Sequence, residues 1–191
     1  MMRTLATRFQ NFAALSVISA MALLVVFSLH PSSAVAQKSQ KAIDYYNSGL
    51  RKQETGNLDG ALADYDRALA LDPKFADVYN NRANIKLERK DFEGAINDYS
   101  KAIELKPRSV ETYFNRGVVR MDIGDNEGAI ADFTSAIQLV PEFAMAYNNR
   151  GNARKASGDV DSAISDYTKA IEFNPKLTIA YFNRGAAYQA D

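Results

Sequence analysis

Apolar and polar positions along residues 42–177 follow one rule. The stretches "ALADYDRALAL" (61–71), "AINDYSKAIEL" (95–105), "AIADFTSAIQL" (129–139) and "AISDYTKAIEF" (163–173) place apolar residues three and four apart. That spacing lays one face of an α-helix into a core. Each is preceded by a more polar stretch: "VYNNRANIKL" (78–87), "TYFNRGVVRM" (112–121) and "AYNNRGNARK" (146–155). These also carry an aromatic and a small residue four apart, as a helix does. Short breaks separate the stretches: "GN" (56–57), "KD" (90–91), "GD" (124–125) and "GD" (158–159). Glycine closes a helix through a left-handed residue. Asn57, Asp91, Asp125 and Asp159 can then cap the next helix. Lys90 departs from glycine and must end its helix less comfortably. Pro73, Pro107, Pro141 and Pro175 stop the second helices.

Those prolines fall 34 residues apart, and so do Tyr45, Tyr79, Tyr113, Tyr147 and Tyr181. A fixed period of this length is the signature of a solenoid. The units are 42–75, 76–109, 110–143 and 144–177, with a partial fifth at 178–191. Positions are numbered one to 34 within each. Alanines at positions 20 and 27 let helices approach, and the aromatic at position 24 (Tyr65, Tyr99, Phe133, Tyr167) fills the space between. On these residues the chain resembles the tetratricopeptide repeats, except that the family's tryptophan at position four is tyrosine and its leucine at position seven is mostly arginine. The resemblance implies an all-α solenoid, a right-handed superhelix of helix pairs. Its first helices would line a concave groove that binds a peptide or protein segment.

Position seven is arginine in units two to five: Arg82, Arg116, Arg150 and Arg184. Position 23 is aspartate in units one to four: Asp64, Asp98, Asp132 and Asp166. The offset suggests ion pairs between units: Asp64–Arg82, Asp98–Arg116, Asp132–Arg150 and Asp166–Arg184. The competing arrangement gives the aspartates to the bases at position 11 (Lys52, Lys86, Arg120, Arg154). The arginines could also serve as an anion clamp. A phosphate loop is excluded, because the phrase "YNNRGN" falls inside a helix rather than a loop.

Asparagine occupies position six five times: Asn47, Asn81, Asn115, Asn149 and Asn183. Asparagine is a poor helix former, so this column asks for a reason. An amide offers donor and acceptor, which suits the backbone of an extended peptide. Hydrogen bonding between neighbouring first helices would explain it equally. With this column, Asn84, Asn152, Phe114 and Phe182 are taken as groove residues. The family's clamp for C-terminal carboxylates needs lysines that position five (Tyr, Asn, Phe, Asn, Phe) does not supply.

The N-terminal residues depart from the repeat. Arg3 and Arg8 lead an apolar run from Phe12 to Leu29, then Pro31 and Ala34-Val35-Ala36. That order is a secretory signal, expected over 1–36 with a short leader at 37–41. An uncleaved signal anchor is the alternative. Either places the repeats outside the cytosol, in the periplasm or the exterior. Only an uncleaved anchor would attach the chain to a membrane.

The chain carries 23 basic and 23 acidic residues, without the basic excess of a nucleic-acid binder. It has no Cys, and its single histidine, His30, lies in the signal segment. Thiolate metal sites and Ser-His triads then lack material, and no catalytic, cofactor or metal constellation is expected. The reading is a non-enzymatic interaction module. A self-associating or membrane-tethered scaffold is the alternative, using apolar Tyr181 and Tyr188 on the last helix. An anion or glycan receptor on the arginines is a third.

Overall fold

The computed structural model describes residues 33–189. The signal segment falls outside these, apart from its Ala34-Val35-Ala36 site. The chain divides into two units, Met1–Lys41 and Ala42–Asp191. Among the described residues all regular structure is helical. The repeats supply four antiparallel pairs: α1 (Ser33–Glu54) with α2 (Leu58–Leu71), α3 (Ala76–Glu88) with α4 (Phe92–Leu105), α5 (Val110–Asp122) with α6 (Asn126–Leu139), and α7 (Ala144–Ala156) with α8 (Val160–Phe173). Helix α9 (Thr178–Tyr188) follows alone. Helix α1 starts well before Ala42, so the leader at 37–41 and the Ala34-Val35-Ala36 site are helical. Its residues 33–41 are all exposed.

The breaks form as their chemistry requires. Gly56, Gly124 and Gly158 take φ of 75°, 81° and 86°, and Lys90 is forced to 60°. The side chains of Asn57, Asp91, Asp125 and Asp159 accept from the backbone N–H groups of Gly60, Gly94, Gly128 and Ser162. Each bond satisfies one of the donors orphaned at a helix start.

Tyr65, Tyr99, Phe133 and Tyr167 are fully buried, between alanines that are nearly so. The rings lie against the small residues of the first helices. A Cβ on Gly49, Gly117 or Gly151 would come within 2.5, 2.8 or 2.7 Å of the ring beneath it. Glycine costs about 1 kcal/mol relative to alanine in a helix. Here that cost is offset by a buried aromatic that has no other place to go.

Candidate peptide-binding face

Three sides of each first helix can be told apart. Positions five, seven, eight and 11 turn to the second helix of the same unit. Positions three and ten are buried against the preceding unit, as with Val78 and Ile85, or Ala146 and Ala153. Positions two, six and 13 recur at helical spacing on the remaining side, with position nine at its border with the second helix.

The first side carries the ion pairs, and it corrects the expected pairing. Arg82, Arg116 and Arg150 each meet the aspartate of their own unit through two prongs. Arg82 donates to Asp98 from Nε at 2.8 Å and from Nη2 at 2.6 Å. Arg116 reaches Asp132 at 2.9 and 2.7 Å. Arg150 reaches Asp166 at 2.9 and 2.7 Å. The inter-unit pairs Asp64–Arg82, Asp98–Arg116, Asp132–Arg150 and Asp166–Arg184 therefore do not form. The helices of one unit run antiparallel, so positions seven and 23 face each other across the break. The bases at position 11 join the same aspartates: Lys86 to Asp98, Arg120 to Asp132, Arg154 to Asp166. Two cations per carboxylate, with aspartates 2–5% exposed, satisfy a buried charge that would otherwise be costly.

The arginines do link units, through their third nitrogen. Nη1 of Arg82 donates to Asp66 of the preceding second helix. Arg116, Arg150 and Arg184 use Ser100, Thr134 and Thr168 in the same way. Each guanidinium also lies 5.3–6.0 Å from the tyrosine ring at position four of its own helix, within cation–π range. With all three guanidinium nitrogens engaged in Arg82, Arg116 and Arg150, an anion clamp has little left to offer.

Unit one rebuilds the cluster differently. Ser48 and Lys52 donate to Asp64, and Arg67 reaches the other oxygen at 3.0 Å while lying over Tyr45. Burial alone would raise the Asp64 carboxyl. The bonds from Lys52 and Ser48, the Lys52 charge and the Arg67 bond outweigh it and hold the carboxyl below its usual range.

Several residues expected in the groove belong to the packing. Phe114 packs against Phe133 and Phe143 with tilted rings, centroids 5.6 and 5.0 Å apart. It lies three residues before Gly117, on the side facing α6. Asn84 and Asn152 accept the hydroxyls of Tyr99 and Tyr167. Gln53 does the same for Tyr65. Unit three has Phe133, without a hydroxyl, and Val118 in place of the asparagine. The match between positions nine and 24 in units two to four is a legible signal of the bond, and unit one departs from it with Leu50 at position nine. Burial pushes Tyr65 and Tyr167 up to about 12.

The position-six asparagines stand between helices. Asn81 donates to the Tyr46 hydroxyl at 3.1 Å, and Asn183 to Asn148 at 3.0 Å. Asn115 reaches Asn84 at 3.5 Å, and Asn149 accepts from Asn148. Asn47, on the first helix of the array, is exposed. Asn81, Asn115 and Asn183 tie first helices together, Asn149 bonds within its own helix, and all four are half-buried, bordering solvent. Around it stand groups that the sequence reading did not weigh. Position two supplies Ile43, Asp77, Glu111, Met145 and Ile179, and position 13 supplies Glu54, Glu88 and Asp122, all exposed. Asp77 pairs with Lys106 at 3.1 Å. Among the described residues Glu54, Glu88, Glu111 and Asp122 have no ion pair. Among the described residues, too, no group of three or more His, Asp or Glu is placed to hold a metal ion.

Comparison with known proteins supports the architecture. A search of curated proteins finds no match. Solved structures do match. A MamA crystal structure superposes with TM-score 0.76 at 28% identity, covering 78% of this chain and 82% of that one. YrrB, described as a TPR protein with an unusual peptide-binding site, gives 0.73 at 24% identity, covering 83% and 82%. The first TPR of Spaghetti (RPAP3), bound to an HSP90 peptide SRMEEVD, gives 0.59 at 25% identity, covering 60% and 91%. The TPR repeat family model matches residues 49–88, 83–124, 119–158 and 151–191. Together with the helix pairs, the break chemistry and the ring-on-glycine packing, that span makes the chain a member of the tetratricopeptide-repeat family.

Proposed function

We propose that the uncovered side of the first helices binds an extended segment of a partner protein. The amide column supplies backbone contacts, and the acidic groups beside it select lysine or arginine. Ile43, Met145 and Ile179 offer apolar anchors at the two ends. The observation that carries this reading is the set of exposed carboxylates flanking the column, four of them without an ion pair among the described residues. A half-buried amide can exchange one neighbour for a peptide backbone at little cost, and unpaired carboxylates in a shared face raise the local negative potential. The RPAP3 domain takes a peptide with an acidic end, whereas the face described here would repel one.

The test uses fluorescence anisotropy with two peptide panels of equal length, one alternating Lys/Arg with Leu/Phe and one acidic and including SRMEEVD. The basic panel should bind, with affinity falling steeply as salt rises. Glu88→Lys with Glu111→Lys should weaken it by about tenfold or more. Binding of the acidic panel, or indifference to the double reversal, overturns the reading.

The N-terminal segment supports an exported setting, periplasmic or extracellular, with the repeats tethered to a membrane where the segment is retained. Cell fractionation with N-terminal sequencing tests this: a cytosolic chain starting at Met1 sinks it. A scaffold role is favoured by one observation, the exposed aromatics of α9.

A further inference from the structure

Position two forms a row of its own along the uncovered side. It runs Ile43, Asp77, Glu111, Met145 and Ile179, one residue from each first helix, all exposed. Met145 has units on both sides and is still 38% exposed, against 41% for Ile43 and 47% for Ile179. The row is therefore open inside the array and does not depend on α9. Its order is apolar, acidic, acidic, apolar, apolar, which reads differently from its two ends. Glu111 has no ion pair among the described residues. Asp77 holds Lys106 at 3.1 Å, with both side chains more than half exposed. Such a pair is worth little, so Asp77 can share its carboxylate with a second cation.

The interval between these residues selects a backbone conformation. Neighbouring first helices touch through side chains: Asn81 reaches Tyr46, Thr112 reaches Asn80 and Asn183 reaches Asn148, all at 3.0–3.1 Å. Helices in such contact lie about 8–10 Å apart. An extended chain rises about 3.3 Å per residue, so a segment crossing them advances about three residues per helix. A β-strand alternates its side chains with period two, and successive contacts would then point to opposite faces. A polyproline II segment returns every third side chain to one side, about 9 Å further along. That is the interval of the helices. Its backbone groups make no internal hydrogen bonds. The position-six amides lie one turn from position two on the same side, where they can meet those groups.

We propose, resting on the binding face argued above, that this row reads a polyproline II segment of a partner protein in the order apolar-x-x-basic-x-x-basic-x-x-apolar-x-x-apolar. Asp77 and Glu111 take the two lysines or arginines. Ile43, Met145 and Ile179 take the apolar side chains. The asymmetry of the row fixes the register. Sliding by one helix puts a cation on Met145 or Ile43 and an apolar group on Asp77 or Glu111. The chain's own Arg3 and Arg8 are five apart, which misses the interval, so the occupant is a partner's segment.

The probes are fluorescein-labelled peptides titrated against the full chain by anisotropy. The matched peptide is Leu-Pro-Ala-Lys-Pro-Ala-Lys-Pro-Ala-Leu-Pro-Ala-Leu, run beside its reversed sequence. One of the two should bind about tenfold tighter than a peptide of the same composition with lysine at both ends and leucine at the three inner contacts. Closing each interval from three residues to two, the period of a strand, should weaken binding as much. Met145→Glu should turn the preference at the fourth contact from leucine to lysine by a few-fold, with unfolding unchanged because the side chain is exposed. If basic peptides bind but order and interval make no difference, this proposal falls and the acidic face stands. If no basic peptide binds, both fall. A chain that sediments as a dimer and separates when the peptide is added also overturns the proposal, since the occupant is then a second copy.

Discussion

"AYNNRG" at 146–151 and "AYFNRG" at 180–185 differ in one letter, yet their surroundings differ on one side. In α7, Asn148 is 2% exposed, while its counterpart in α9, Phe182, is 71% exposed. Arg150 grips a buried carboxylate; Arg184 has none among the described residues. Gly151 bears a ring, and Gly185 bears nothing among the described residues. The same phrase is a half-interface in both places. What α8 adds to α7 is the measure of what each residue does.

The largest expected effect comes from removing that addition. Asp166 is 3% exposed and pairs with both Arg150 and Arg154. Asp166→Ala strands both cations and should cost about 3–5 kcal/mol in urea unfolding. Arg184→Ala removes the corresponding arginine of α9 and should change stability by no more than about 0.5 kcal/mol. Equal losses would mean that Arg184 has a buried partner after all, and the contrast between the helices would collapse.

The glycines should respond with opposite signs. Gly151→Ala pushes a methyl group toward the Tyr167 ring, and overpacking of this kind costs about 1–3 kcal/mol. Ala83 shows that a unit can be built around the methyl, so the lower end is expected. Gly185→Ala meets open space and should gain up to about 1 kcal/mol from helix propensity alone. Thermal unfolding of the two variants gives the comparison directly.

The period, the breaks, the caps and the aromatic on its small residue were all legible in the sequence, because each repeats four times with fixed chemistry. The pairing of Arg with Asp was misread. Unit one has Asp64 but Ser48 in place of arginine, which suggested that each aspartate reaches into the next unit. The substitute was Arg67, three residues along the same helix as Asp64, and no count of copies points to it. A geometric argument was available. Positions seven and 23 lie equally far from the break at position 15, so an antiparallel fold brings them together. Phe114 was misplaced for the same reason: a first helix has three sides, and one periodicity cannot say which of them meets the second helix. The asparagine column stays divided between packing and binding, since an amide half-buried between helices serves both.

A smaller gain tests the second break against the fourth. Lys90 sits at φ 60°, where Gly158 sits at 86°. A left-handed conformation costs a side-chain-bearing residue about 1–2 kcal/mol, and glycine returns part of that through its greater freedom when unfolded. Lys90→Gly should therefore stabilise the chain by about 1 kcal/mol. Gly158→Lys should destabilise it by a similar amount, with Asp91 and Asp159 capping as before.

The last effect is silent at neutral pH. Burial holds the phenols of Tyr65 and Tyr167 at about 12, against about 10 in an unfolded chain. A folded value raised above the unfolded one leaves stability intact below pH 10 and removes it as pH climbs toward 12, because the unfolded state gives up these protons first. Each phenol also donates to an amide, Tyr65 to Gln53 and Tyr167 to Asn152, and ionisation breaks that bond. Ultraviolet titration should show a late class of tyrosines ionising together with alkaline unfolding. In Tyr65→Phe with Tyr167→Phe, the late class should shrink and stability should decline less steeply above pH 10. Unit three already carries Phe133 opposite Val118. If the double variant keeps the full alkaline loss, the hydroxyls of Tyr65 and Tyr167 are not its source.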